Sequence, residues 1–451
     1  MCGRTLKLGR LHLFVAFAFT VMADPVSSVA YAIEAAQRAL DGKPASLVAT
    51  MALVIAIIVL VAITYHQLIG RFPRGGGGPE AVGVAFGEGW AFLPLGALLV
   101  DFTLTVAVSC AAAAAALVAY APGLEAVRLP LALAIAALVA LGVLTGHRGR
   151  VWFALAVQAF LLAAAVVVAG ALFADPVEGA VAAPASGSIF AGAGFSAVLL
   201  ALPLGMALAT GVEAPSNAIA ELPQIDDEGR RRFGRGTLWG MVAIVGALTI
   251  SLSALAVHLR VGVPAEDSTL LADLARAAVG EGPAFAAFQA TSALLLLAAA
   301  ASSYLAGAGV LKALSGVGLD GDAGLLPEAL HRENRFLVSH WGVGLILLLA
   351  AAMIAVSGGR EQELVKFYAV AVFASFLAAT LACTRLNLRD GRRGAAAFNL
   401  LGAAAALLVL TLNLTRLDSA IALFASATIA LYLWRVWVGR GRPGGISRAA
   451  V

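Results

Sequence analysis

Apolar residues recur along this chain in blocks of membrane-crossing length, separated by short polar turns. A helix needs about 20 such residues to cross a hydrocarbon core of about 30 Å. The pattern predicts twelve spans, at roughly 11–40, 46–69, 90–120, 129–146, 151–173, 190–221, 237–259, 283–314, 336–357, 362–386, 395–414 and 418–438. The expected fold is therefore an all-α polytopic membrane protein. Two spans are interrupted. The first carries Asp24-Pro25-Val26-Ser27-Ser28 in its middle, and the sixth carries Thr210-Gly211-Val212-Glu213-Ala214-Pro215-Ser216-Asn217. An acid at that depth costs roughly 2.5–3.5 kcal/mol on insertion scales, and proline removes a backbone donor. Broken helices are tolerated in a bilayer only where the freed backbone is buried in protein or lines a cavity.

The two interruptions lie five helices apart, the arrangement expected of an inverted-repeat transporter. Spans 1–5 (about 11–173) and 6–10 (about 190–386) then form two five-helix repeats, a transport core over 11–386 with broken helices 1 and 6. Two accessory helices occupy 395–438. Residues 1–10 and 439–451 are expected to be short cytoplasmic ends, with no soluble domain beyond Val438.

Composition excludes a soluble fold: 61% of residues are hydrophobic, 12% are charged, and the mean hydropathy is +0.95. With the N-terminus placed in the cytoplasm, 22 of the 30 lysines and arginines fall on the inner side and 8 on the outer. That positive-inside bias supports an even span count and a multi-pass protein of the cell (inner) membrane with both ends cytoplasmic. It also accounts for the net charge of +4 without nucleic acid. Arg230 to Arg235 is a topology signal on this reading. The apolar run after Arg4, Lys7 and Arg10 continues past Asp24, so it is a first span and not a cleaved leader. Cys2, Cys110 and Cys383 form no spaced framework. The glycines of Arg71-Phe72-Pro73-Arg74-Gly75-Gly76-Gly77-Gly78 lack the ending of a phosphate loop, and read as a tight turn or re-entrant gate in a flexible cytoplasmic connection.

Chemistry concentrates in a few intramembrane positions. Asp101, Thr105 and Ser109 are spaced four residues apart, which draws one polar stripe along the third span. The two hydroxyls have an ordinary alternative in bonds to carbonyls of their own helix, but an intramembrane acid faces a cavity or a partner. Thr210 and Glu213 lie one turn apart at the second interruption, where Glu213 has a further role open to it as the acid at a helix start. Tyr31 lies two turns beyond Asp24 and is either packing or part of a site; Glu34, nearer the outer surface, is expected to be solvated. Asp24, Asp101 and Glu213 share a predicted depth with no lysine, arginine or histidine. Unpaired, they would cost about 7–10 kcal/mol together, so either some are protonated or a cation is the missing partner. All available ligands are oxygens, which suit hard cations. The six histidines (His12, His66, His147, His258, His331 and His340) are scattered, and no nucleophile, metal set or cofactor motif marks an enzyme.

At these residues the chain resembles a known family. Asp24-Pro25-Val26-Ser27-Ser28-Val29-Ala30-Tyr31, Tyr65-His66-Gln67-Leu68-Ile69 with Pro73-Arg74-Gly75-Gly76-Gly77, the stretch Leu99 to Ser109, Thr210 to Ala218, and Phe367-Tyr368-Ala369-Val370-Ala371-Val372-Phe373 are similar to motifs of the KimA-type potassium uptake permeases. These belong to the amino acid–polyamine–organocation (APC) superfamily, within or beside the Kup group. The resemblance implies a LeuT/APC-type fold and a secondary transporter taking up potassium with protons. It implies an ion site at Asp24, Tyr31, Asp101, Thr105, Ser109, Thr210, Glu213 and Tyr368, the last from the resemblance alone, with Glu213 as proton-coupling candidate. Potassium and proton are then cargo, and no resident cofactor is expected. Pro25 and Pro215 depart from the family's usual residues. The connection Ala313 to Ala329 also departs, and the family's soluble C-terminal domain has no counterpart here, so regulation and dimerisation attributed to it do not transfer. The alternative is an APC amino acid or organic-amine permease. Against it, the first interruption lacks the glycines that would hold a substrate carboxylate, and three acids would repel one. Partners implied are the lipid bilayer and a small cation, with the oligomeric state open.

Overall fold

The computed structural model describes residues 14–40, 44–146, 150–173, 194–222, 225–316 and 324–445. The first apolar segment is built of α1 (Phe14–Val21), α2 (Ala23–Ser27) and α3 (Val29–Ala39). Then follow α4 (Pro44–Arg71), α5 (Gly77–Phe86), α6 (Phe92–Tyr120), α7 (Arg128–Val143), α8 (Arg150–Phe173), α9 (Phe195–Gly205) and α10 (Ala214–Ala218). The rest comprises α11 (Asp227–His258), α12 (Leu270–Val279), α13 (Pro283–Ser315), α14 (His340–Val356), α15 (Glu361–Arg389), α16 (Arg393–Asn413) and α17 (Leu417–Gly439).

Among the described residues ten helical segments are long and apolar enough to cross a membrane, and the bent first segment would add an eleventh. The ninth expected span is the 17-residue α14, whose rise of about 25 Å falls short of the ~30 Å core. The linker between α8 and α9, where one predicted repeat gives way to the next, lies outside the described residues. So do residues 1–13, part of the connection Ala313 to Ala329, and the last six residues.

Burial sorts the helices. The apolar window of α6 is 83% buried, whereas that of α17 is 22% buried, so α6 is the axis and α17 the rim. α6 packs against α13, α15, α17, α7 and α14. Its run Cys110 to Ala116 is wholly buried, as are Ala298 to Ala301 of α13. Small side chains let two helix backbones approach where lipid offers no hydrophobic drive to association. Polar bonds pin the same bundle: Gln289 donates to the Ala116 carbonyl at 3.0 Å and Tyr304 to that of Ala136 at 3.2 Å. Side chains cap the helices that begin near the expected surface, with Asp226 accepting from Gly229, Thr269 from Ala272 and Ser339 from Gly342.

The interruption in the first segment is narrower than expected: Asp24 to Ser27 belong to the short α2, single turns at Met22 and Ser28 flank it, and the segment bends by 46°. The Asp24 carbonyl accepts the Ser28 amide at 3.3 Å, as in an ordinary helical turn, and also the Ser27 and Ser28 hydroxyls at 2.7 and 3.3 Å. The amide missing at Pro25 is the one that would have met Val21, at the bend itself. The glycines after α4 form the tight turn expected of them. Gly75, Gly76 and Gly77 all have positive φ and feed directly into α5, most of which is buried. A methyl group on Gly77 would come within 2.4 Å of the Asn217 amide oxygen, so this turn is wedged against α10. Arg230 to Arg235 sit on the first turns of α11, where Arg231 and Arg235 donate to carbonyls of Gly70 and His66.

A buried amide cluster joins α4, α15 and α16. The Gln67 side-chain oxygen accepts from Asn387 at 2.5 Å and Asn399 at 3.1 Å, while Asn399 accepts from Thr64 at 3.1 Å and Gln67 at 3.2 Å. Gln67→Leu strands both asparagine amides. Interhelical bonds of this kind contribute about 0.6–1.7 kcal/mol each, so the variant is expected to unfold at a visibly lower temperature in detergent. An unchanged melting temperature would show that the cluster contributes nothing.

Candidate functional site

The site is assembled at the two irregular segments. In the sixth, α9 gives way to a short 3-10 turn over Met206–Ala209; Thr210 is extended (φ −63°, ψ 146°) and Gly211 has φ 75°. Thr210 bonds Ser28 of the first segment at 2.7 Å, and Ser28 in turn bonds the Tyr31 hydroxyl at 3.0 Å. Gly211 packs directly against the first segment. A Cβ there would lie 2.8 Å from the Pro25 ring and 3.2 Å from an Asp24 carboxylate oxygen.

The eight sequence-predicted residues are all buried. Two chains of contact unite four of them. One is Thr210, Ser28 and Tyr31. The other pairs Thr105 of α6 with the Tyr368 hydroxyl of α15. The Tyr31 and Tyr368 rings meet edge to face at 6.3 Å and join the two chains. Ser109 belongs to the same α6 face as Thr105, one turn on, but its hydroxyl has no hydrogen-bond partner among the described residues.

Asp24, Asp101 and Glu213 are 9%, 2% and 5% exposed, and they lie within electrostatic reach of one another. Each has an oxygen without a hydrogen-bond partner among the described residues: Asp24 Oδ1, Asp101 Oδ1 and Glu213 Oε2. A buried polar atom left without a partner costs about 1–3 kcal/mol, and more when charged. Asp24 and Glu213 also line a cavity of about 180 Å³ together with Phe102, Gly211, Asn217 and Ser303. This cavity runs along the first half of α6 and the second half of α13, toward the end of the bundle that carries Arg71 and Lys312.

The opposite end is closed by buried polar contacts. Glu34 is 1% exposed, contrary to the expectation that it is solvated. It pairs with Arg38 at 2.8 Å and accepts the Leu270 amide at 2.9 Å, because α12 folds over α3 and takes it out of water. Arg38 reaches the Pro264 carbonyl at 3.1 Å, and Gln37 that of Val261 at 2.7 Å.

Sequence reasoning missed several participants. Ser28 was visible as the residue four beyond Asp24 and three before Tyr31, hence on the same helical face. Tyr65 is buried and within electrostatic reach of Glu213 and Asp101. The closeness of Gly211 to Pro25 had no sequence signal, since it joins positions 186 residues apart.

Of the eight residues only Asp24 and Glu213 line the cavity; the other six are buried beside it, and the set as a whole is a cluster of carboxylates and hydroxyls between helices. The amino acid permease family model matches residues 11–435, nearly the whole chain. The chain belongs to that family. A curated relative, the potassium transporter KimA of Bacillus subtilis (strain 168), is 28% identical over 328 residues. The match covers 72% of this permease but 52% of that protein, so the chain spans about half the length of the curated relative it matches. Membership makes the protein a multi-pass membrane transporter and not an enzyme, with a lipid bilayer as its surroundings.

Proposed function

We propose that this permease takes up potassium together with protons across the cell membrane by alternating access. The observation that carries the proposal is the set of three buried acids. Each has an oxygen unpartnered among the described residues, and none forms an ion pair with a described residue. A transported cation supplies the compensating charge. Hydroxyls of Thr105, Ser109, Thr210, Tyr31 and Tyr368 replace its water, and the oxygen-only ligand set suits a hard ion. The potassium transporter KimA as a relative supports the same cargo. A substrate carboxylate, as an amino acid would bring, has no described basic group to meet beside the three acids.

In this proposal the first and sixth segments are the broken helices of a LeuT-like 5+5 inverted repeat. The bent first segment and α14 complete twelve spans, and α16 and α17 are accessory. The positive-inside bias puts the Arg71 end in the cytoplasm, together with both termini, so the cavity beside Asp24 and Glu213 faces inward. Glu213 carries the coupled proton, its position on the cavity wall giving it a route to the cytoplasm.

The test is rubidium uptake by cells lacking their own potassium importers, with labelled amino acid and amine uptake measured beside it. Saturable rubidium entry is expected. Absence of rubidium flux with amine flux present would transfer the site to an organic cation. Glu213→Gln fixes a neutral side chain, so uptake by that variant is expected to lose its dependence on external pH. A pH profile matching the wild type would remove Glu213 from the proton role.

A further inference from the structure

A second carboxylate pocket lies at the end of the bundle opposite the cavity. Glu361, the first residue of α15, is 5% exposed, and its Oε2 has no hydrogen-bond partner among the described residues. The position favours an anion, since a helix N-terminus carries partial positive charge, but the unmet oxygen lines a chamber. That chamber has a volume of about 20 Å³ and is walled by Ala30, Ala116, Thr269, Gln289 and Ser292 beside Glu361. It is large enough for one water-sized occupant, which needs roughly 10–15 Å³.

Most neighbouring charges are paired: Glu34 with Arg38 at 2.8 Å, Arg128 with Glu125 at 2.8 Å, Asp273 with Arg276 at 3.1 Å and Arg360 with Glu266 at 2.7 Å. Glu361 takes part in no ion pair among the described residues, although Arg128, Arg38 and Glu34 lie within its electrostatic reach. The wall also offers oxygen ligands: Gln289 spends one of its two amide N–H groups on the Ala116 carbonyl and keeps its side-chain oxygen, and Ser292 spends its hydroxyl proton on the Phe288 carbonyl and keeps its lone pairs.

Register ties this chamber to the central site. Glu361 stands seven residues before Tyr368, and Ala116 seven after Ser109, so each is two turns outward on the face that carries a site residue. Ala30 adjoins Tyr31, and Gln362 bonds the Tyr31 carbonyl at 3.5 Å. Along α15 and α6, chamber and central site are thus about 10 Å apart, and the tyrosines of the central site, whose rings meet edge to face, are the site residues nearest the chamber along α3 and α15.

We infer that this chamber is a second cation site, in which one monovalent ion is held by Glu361 before it passes the two tyrosines to the central acids. The inference rests on the reading of this protein as a cation transporter. Thallium(I) binding to purified protein at equilibrium, beside the rubidium uptake assay, separates the two. The Asp24→Asn/Asp101→Asn variant, its central site disabled, is expected to retain one thallium ion per chain, and adding Glu361→Gln is expected to remove it. No binding to the double variant, or undiminished binding to the triple, overturns the second site whatever the uptake assay returns. Should the double variant fail to fold, the comparison is between wild type and Glu361→Gln. A stoichiometry lower by one supports the site, and an equal stoichiometry overturns it. In uptake, Glu361→Gln is expected to raise the half-saturating rubidium concentration at least threefold with the maximal rate held. A fall in maximal rate alone would mark a structural role and overturn the inference.

Discussion

Asp24→Asn and Asp101→Asn are each expected to abolish rubidium uptake while the protein still reaches the membrane in normal amount. Asparagine preserves size and removes one negative charge. In the proposed site the wild-type charge is balanced by the transported cation, and each buried acid keeps an unpartnered oxygen among the described residues. Truncating one partner of a buried, hydrogen-bonded charge pair costs about 2–5 kcal/mol, or roughly 30- to 5000-fold in affinity. The empty protein should fold at least as readily, because a neutral amide is cheaper to bury than a carboxylate. That combination, a lost flux with retained or improved stability, separates a cargo site from a structural one. Normal flux in either variant would remove that residue from the site, and loss of membrane protein would reassign it to folding.

The second large effect is expected at Gly211. Its φ of 75° is a conformation that costs an L-residue about 1–2 kcal/mol. A Cβ would also meet the Pro25 ring at 2.8 Å, and the contact is with a rigid ring and not a flexible side chain. Gly211→Ala must therefore push the first and sixth segments apart and break the Ser28–Thr210 hydrogen bond of 2.7 Å that joins them. Uptake is expected to fall at least tenfold, with lowered thermal stability, and Gly211→Val is expected to be worse than alanine. Transport by Gly211→Ala at the wild-type rate would mean that the close approach has no part in the working cycle.

The polar residues most legible in the sequence were those whose chemistry conflicts with their surroundings. Asp24, Asp101 and Glu213 were conspicuous because acids at membrane depth need a reason, and the stripe through Thr105 and Ser109 followed from helical spacing. Tyr368 could be named only by resemblance, since one buried tyrosine in an apolar helix has no distinctive spacing. What stayed hidden depended on neighbours distant in sequence. Glu34 looked like a surface acid until α12 was seen to cover it. Single turns at Met22 and Ser28 stand where the sequence predicts a longer interruption, because the Asp24 carbonyl keeps its helical bond to the Ser28 amide, a local outcome that composition does not disclose. Span boundaries were recovered well where the apolar run was long. They were less certain at α14, whose 17 residues leave membrane crossing to its neighbours' arrangement.

In the proposed alternating-access cycle, Glu34 would set a limit on speed. Swinging α3 away from α12 would rehydrate a fully enclosed carboxylate and give up the Leu270 amide and the Arg38–Pro264 contact in one event, while Arg38, on the same helix, travels with Glu34. A barrier of that kind would be crossed once per cycle and not once per ion. Throughput should thus rise steeply with temperature, unlike the shallow dependence of a continuously open pore.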